Sequence, residues 1–369
     1  MNYVVGDLSK QSLEEVWNDK PMKDLRLNML NNVKSESCKR CYAFEAAGQK
    51  SMRETLNERY AHHLPEVDKT REDGSYDHLN LVYWDFRFSN ICNFKCRMCG
   101  PQLSSSWYED TKKLYGSLPI DIPKDSDPDK LWAQIEPLFD TVEEIYFAGG
   151  EPLIMEEHYR ILNKLDEMKK YDVHIRYNSN CSQFKYKSMN VLDLWPKFKQ
   201  VDMFASLDGS WSRGELIRKG QNWQKFIDNR QQMKARAPNV KFIINYTLIV
   251  LNSFHAMDFH KEVYEQGIID HIDDFRLNFA VNPDHLCVQI LPLTVKEQLK
   301  NSINDYIETY LIPNGSQAVA EDFRSYIKFI DAAHTQHLIP KMIDHMDKID
   351  SIRSESWRSV FPELAGVQI

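Results

Sequence analysis

The sequence has no apolar run near the ~20 residues that a bilayer-spanning helix needs. Its start, MNYVVGDLSK, lacks the basic and apolar regions of a secretory signal. A cytoplasmic protein without membrane attachment is therefore expected. Basic charge is also short: 46 Lys and Arg stand against 54 Asp and Glu, a formal net charge of -8. That balance argues against a general nucleic-acid surface. Glycine (13) and proline (15) are sparse in 369 residues, and no internal repeat or low-complexity tract is found, which excludes a disordered chain. Cysteines number only seven, and without a secretory signal they fit thiolate metal ligation better than a disulfide framework. What is present is 42% hydrophobic and 12% aromatic residues, enough for one large catalytic domain with smaller appendages.

Five of the cysteines fall into two tight groups, and the periodicity around them sets the expected architecture. The first sixty residues read as short helices: Ser12 and Glu15 make a capping-box pattern, and Pro21 sits where a helix begins. Cys38-Lys39-Arg40-Cys41 follows, then a polar stretch from Asp68 to Asp77 that reads as a linker or exposed loop. From Leu79 onward, strand-like runs at 81–88, 142–150, 173–180, 200–209, 240–250 and 275–283 alternate with helical patterns. Asp127 and Pro128 suggest one capped helix start, and Met155, Tyr159, Leu162 and Leu165 repeat at helical spacing. Six strands separated by crossover helices imply an α/β chain with a parallel sheet, a partial (β/α)6 TIM-like barrel. After about Leu293 the pattern is helical to the end. The expected domains are a helical cysteine-containing segment at 1–67, a barrel at 78–292 and a helical tail at 293–369.

Directly after the first strand, Cys92, Cys96 and Cys99 place three thiols within eight residues. Thiolates suit zinc or an iron-sulfur cluster, and three of them leave one metal position without a local partner. Gly149-Gly150-Glu151-Pro152 ends the second strand, where glycines permit close approach to backbone. Polar residues end the next two strands, Asn178-Ser179-Asn180 and Ser206-Leu207-Asp208-Gly209, and Arg218 follows. In a parallel sheet, chemistry belongs at these carboxyl ends.

The spacing CxxxCxxC, with these motifs downstream, resembles the radical S-adenosylmethionine (SAM) superfamily over roughly residues 80 to 290. The resemblance implies a 4Fe-4S cluster on Cys92, Cys96 and Cys99, with SAM chelated at the open iron. It implies that the Gly149, Gly150, Glu151, Pro152 motif binds the methionyl amino group of SAM. Asn180, Ser206 and Asp208 become candidates for its ribose and carboxylate, and Arg218 for its carboxylate. Met98 stands where the superfamily often has an aromatic residue beside adenine, and an adaptable thioether can serve there.

The stretch from Val5 to Trp17, with Leu25-Arg26, Cys38, Cys41 and Glu45, is similar to the auxiliary-cluster segment of SPASM and twitch radical SAM proteins. Two cysteines do not complete a second cluster. A truncated start, a vestigial pair, or completion by Cys181, Cys287 or a histidine are the competing accounts. Asp350-Ser-Ile-Arg353 with Phe361-Pro-Glu-Leu364 is also reminiscent of that group, without chemistry attached. The implied function is reductive cleavage of SAM to a 5'-deoxyadenosyl radical that abstracts hydrogen, with a peptide or protein as the first substrate class and a flavodoxin or ferredoxin as electron donor. The rivals are a non-catalytic zinc- or cluster-binding interaction module, and an enzyme acting on a small carbohydrate or nucleoside.

Overall fold

The computed structural model describes residues 4–46, 50–118 and 128–365, so the expected cap at Asp127 lies outside the described residues. The chain divides into two compact units, Met1–Val82 with Lys124–Val142, and Tyr83–Pro123 with Glu143–Ile369.

The larger unit is built on six parallel strands: β1 (Tyr83–Phe86), β2 (Glu144–Phe147), β3 (His174–Ser179), β4 (Val201–Ser206), β5 (Val240–Leu248) and β6 (Phe275–Phe279). They lie side by side in chain order, with β1 and β6 at open edges, so the sheet is a partial barrel. Register explains its cohesion. Ile145, Ile175, Val201 and Val240 pair across four strands, and Phe147, Tyr177, Met203 and Phe242 form the next row. All eight are buried. Truncating one of these apolar side chains to Ala is expected to cost about 2–5 kcal/mol. Because side chains alternate along a strand, Tyr146, Arg176, Asn178, Phe204 and Ser206 point to the opposite face, where they are only half-buried.

Helices Trp107–Tyr115 and Pro128–Ile135 lie between β1 and β2, the second of them in the smaller unit. Glu156–Glu167 joins β2 to β3, Trp211–Ile217 and Trp223–Arg236 join β4 to β5, and His255–Glu265 joins β5 to β6. The expectation of a helix in every crossover fails once. Between β3 and β4 the chain makes a two-stranded hairpin, Lys185–Tyr186 with Met189–Asn190, and two 3-10 turns. Pro196, which has no N–H to donate to an α-helical ladder, stands in the second turn, although Val191, Leu192, Trp195 and Phe198 are buried at spacings that one face of an α-helix would also give. Beyond β6 the chain is helical as expected, and helix Ala318–Asp331 packs on the sheet through Phe279, stacked on Tyr326 and Phe329.

In the smaller unit, Ser12 and Glu15 form the expected capping box of helix Leu13–Trp17, and Pro21 lies in the first turn of Lys20–Leu30. The stretch expected to be a linker or exposed loop is largely exposed, but two of its residues are tied down. Tyr76 is buried and exchanges two hydrogen bonds with the Asn18 side chain, while Arg26 donates to Gly74 O and covers the Trp17 ring. Among the described residues, no helix is long and apolar enough to cross a membrane.

Candidate functional site

The loop after β1 turns on its own carbonyl groups. Ser104 Oγ donates to Phe94 O (2.5 Å), Ser106 Oγ to Cys92 O (2.7 Å) and Trp107 Nε1 to Cys96 O (2.9 Å), so the start of helix Trp107–Tyr115 holds the three-cysteine loop from one side. Cys99 N donates to Cys96 O, closing a tight turn between the last two thiols. The result is a 260 Å³ cavity lined by Cys92, Cys96 and Cys99 together with the ends of β2, β3 and β4.

Gly149, Gly150, Glu151, Asn180, Ser206 and Arg218 line the same cavity, so the structure brings together most of the residues singled out in the sequence. Met98, Pro152 and Asp208 do not line it. Asp208 is fully buried instead: one carboxylate oxygen accepts from Thr247 N (2.7 Å) and the other pairs with Arg218 Nε at 2.7 Å. Pro152 is buried at the head of a 3-10 turn, and Met98 is half-buried. Arg87, Asn178, Leu103 and Ser104 also line the cavity. Of these, the sequence analysis singled out Asn178 alone, as part of a polar strand end. Arg87 carried a signal too, a charged residue at the alternating position after Asp85, with which it pairs at 3.1 Å.

The glycines have a more local reason than ligand approach. A side chain at Gly150 would place its Cβ 2.0 Å from Ile91 O, and Gly149 sits at φ +103° against the Arg87 backbone. The end of β2 therefore packs directly on the cysteine loop. Glu151 is likewise occupied by protein groups: its carboxylate accepts from Asn180 N (2.7 Å), Ser179 Oγ (2.8 Å) and Leu153 N (3.1 Å). Burial pushes its pKa up to about 7 against these donors. The Asn180 side chain bridges Asn93 Oδ1 and Ser182 N, holding the rim of β3 to the loop.

Electrostatics separates the three thiols. Cys96 has its pKa lowered, first by hydrogen bonding with Cys99 and then by Arg218, whose Nη1 lies 3.9 Å from its sulfur. The same bond, with burial, raises Cys99, and burial, with the neighbouring Cys96 and Glu151, pushes Cys92 up to about 12. Burial works against the charge of Arg218, but Asp208 and Cys96 outweigh it and its pKa rises. Arg218 thus favours the charged form of Cys96, and burial disfavours it at Cys92 and Cys99, where a bound cation would help displace the proton. Cys92, Cys96 and Cys99 all line the one cavity. A multi-iron cluster, which holds its thiolates around one centre, fits this donor set.

Cys38 and Cys41 lie in the smaller unit, at the junction of the 3-10 turn Glu36–Cys38 and helix Lys39–Ala46, both half-buried. Cys181 is buried at φ +53°, its thiol near Ser179 O, and Cys287 is buried beside Gln289.

A parallel partial barrel with a three-thiol loop after its first strand defines a class of cluster-binding, SAM-binding folds. The sequence pattern of the Radical SAM superfamily matches residues 86–252, and that of SPASM, an iron-sulfur cluster-binding domain, matches residues 1–42. Over those residues the chain is similar to the radical SAM superfamily and to a SPASM-type iron-sulfur segment, as its cysteine spacing leads one to expect. No curated protein sequence matches it. Similar solved structures include Streptococcus suis SuiB bound to precursor peptide SuiA, at 16% identity over 83% of this chain and 64% of that one, TM-score 0.43. Native anSMEcpe with bound AdoMet is 15% identical over 63% of this chain and 62% of that one, TM-score 0.42. The chain thus spans less than two thirds of the length of either protein.

Proposed function

We propose that this chain is an enzyme that cleaves SAM reductively and uses the resulting radical on a peptide or protein substrate. The observation that carries the reading is the single cavity shared by Cys92, Cys96, Cys99 and the ends of β2, β3 and β4. When bound there, a 4Fe-4S cluster supplies the electron that splits SAM into methionine and a 5'-deoxyadenosyl radical, which takes a hydrogen atom from the substrate. Cys92, Cys96 and Cys99 would hold it. The exposed peptide groups at Gly149 and Gly150 offer acceptors for an ammonium group, and Ser206 and Asn178 offer hydroxyl and amide partners for ribose. Arg218, held in place by Asp208, offers a fixed cation for a carboxylate. Asn180 and Glu151 act on the rim, keeping the strand ends and the loop in one arrangement. The peptide class rests on the SPASM-type segment and on nothing finer.

The test is anaerobic reconstitution with iron and sulfide. A brown protein is expected whose reduced spectrum shifts on adding SAM and which releases 5'-deoxyadenosine slowly without substrate. A protein that instead takes up zinc and shows no SAM response would return the non-catalytic module to first place.

A further inference from the structure

Asp350 and Arg353, conspicuous in the sequence but without a role there, sit at the end of helix Ile339–Arg353 and reach the cysteine loop. Arg97 lies between Cys96 and Cys99, and its side chain is wholly buried on the side away from the cavity lining. Its guanidinium donates to Asp350 Oδ1, to Glu355 Oε2 (2.7 Å) and to Leu216 O (3.2 Å). Glu355 also pairs with Lys219 at 2.6 Å, and the backbone groups Lys95 N and Arg97 N donate to Lys219 O and Ile217 O. A second pair of contacts runs in parallel: Arg353 Nε pairs with Asp110 Oδ2 at 2.7 Å, and Lys95 with Asp110 Oδ1 at 2.8 Å. Arg353 further covers the ring of Trp107, whose Nε1 donates to Cys96 O. Asp350 and Glu355 contact the cysteine loop directly at Arg97, and Arg353 reaches it through Asp110 and Trp107.

We propose that Asp350, Arg353 and Glu355 are positioning residues: they clamp Lys95 and Arg97 from behind the loop and so set where Cys96 and Cys99 stand relative to Arg218. The proposal rests on the reading of this cavity as the cluster and SAM site. Buried ion pairs add little net stability, but separating one leaves a costly unpaired charge inside the protein, so these contacts resist displacement. A clamp built from them suits a task in which thiolates and a SAM-facing cation must keep a fixed separation.

The experiment compares wild type with Glu355→Gln, Asp350→Asn, Asp350→Glu and, as a surface control, Lys348→Gln, whose partner Asp344 is itself exposed. Each is reconstituted anaerobically, and iron per chain and the SAM-induced change in the reduced-cluster electron paramagnetic resonance signal are measured. Glu355→Gln and Asp350→Asn are expected to keep most of their iron but need about tenfold more SAM for half the spectral change, the usual scale for outer partners of metal ligands. Asp350→Glu should recover part of that loss, and Lys348→Gln should match wild type. Because Asp350 also accepts from Trp357 N, Asp350→Asn can fail to fold; Glu355→Gln, which leaves Arg97 its Asp350 contact, then carries the test. Wild-type SAM affinity per cluster in these variants overturns the clamp, as does loss of iron and SAM response in equal proportion without rescue by Asp350→Glu. Absence of any SAM-responsive cluster in the wild type overturns the site reading itself.

Discussion

Cys96 is buried beside an arginine, its carbonyl held by an indole and its neighbour Arg97 enclosed by two carboxylates, whereas Cys38 and Cys41 stand half-exposed among surface charges. Lys39 between them pairs with Glu36, and both partners are open to water. The two groups share a residue type and a close spacing. They differ in what fixes them. A thiolate site needs donors and cations that lower the cost of charge, and a loop rigid enough to present several sulfurs at once. Spacing along the chain supplies neither.

The largest expected effect divides the groups directly. Replacing Cys92, Cys96 and Cys99 together by Ala should remove about four irons per chain, whereas Cys38→Ala with Cys41→Ala should leave iron nearly unchanged. Iron analysis after reconstitution decides it. A loss of about four irons from the pair variant would break the comparison and establish a complete second cluster.

A smaller but sharper contrast concerns packing. Gly150→Val places a branched side chain where the Cβ alone would lie 2.0 Å from Ile91 O, so the cysteine loop must move. Overpacking of this kind costs roughly 1–3 kcal/mol, and iron and SAM binding should fall together. Ala43→Val, on the exposed face of helix Lys39–Ala46, should change neither. Iron retained with SAM affinity alone reduced in Gly150→Val would mean that the glycine serves the ligand and not the loop.

The mildest effect is a difference in acid sensitivity. In the larger unit, burial holds the pKa of His158 down at about 3, its Nε2 bonded to the Tyr177 hydroxyl at 2.9 Å. The unfolded ring titrates near 6.5 and binds protons that the folded ring refuses, so this contribution to stability is complete above that pH and is lost as pH falls towards 3. At pH 5 the loss is about 2 kcal/mol, and His255 and His260, each held near 4 by burial, add to it. In the smaller unit Asp7, lowered to about 2 by Ser9 and Lys10, gives way only below the ordinary carboxylate range. Hydrogen exchange at pH 7 and pH 5 should therefore show β2 and β3 loosening first. Equal loosening at Tyr76 and β3 would remove the distinction, and His158→Gln should flatten the response.

Much of the architecture was legible in the chain because its causes are local. Strand-like runs marked all six strands, and the capping box at Ser12 and Glu15, with Pro21 beside it, marked two helices. The hairpin and 3-10 turns between β3 and β4 were not legible, since the buried Val191, Leu192, Trp195 and Phe198 keep a spacing that a helix shares, while Trp195 is fixed by Tyr177 and Phe184. The same holds for Tyr76, whose segment is rich in polar residues yet pinned by Asn18.

By itself the sequence determined the thiol triplet, the glycine pair after the second strand and the polar strand ends, because spacing and residue chemistry are properties of the chain. Only the tertiary structure decided which of these share a cavity. It set Ser206 and Arg218 beside the thiols, drew Asp208 beneath Arg218, and left Met98 and Pro152 outside the lining. It also joined Arg97 to Asp350 and Glu355, some 250 residues away. The physical reason is that a buried charge must find its partner somewhere in the fold, and sequence distance has no bearing on where that partner lies.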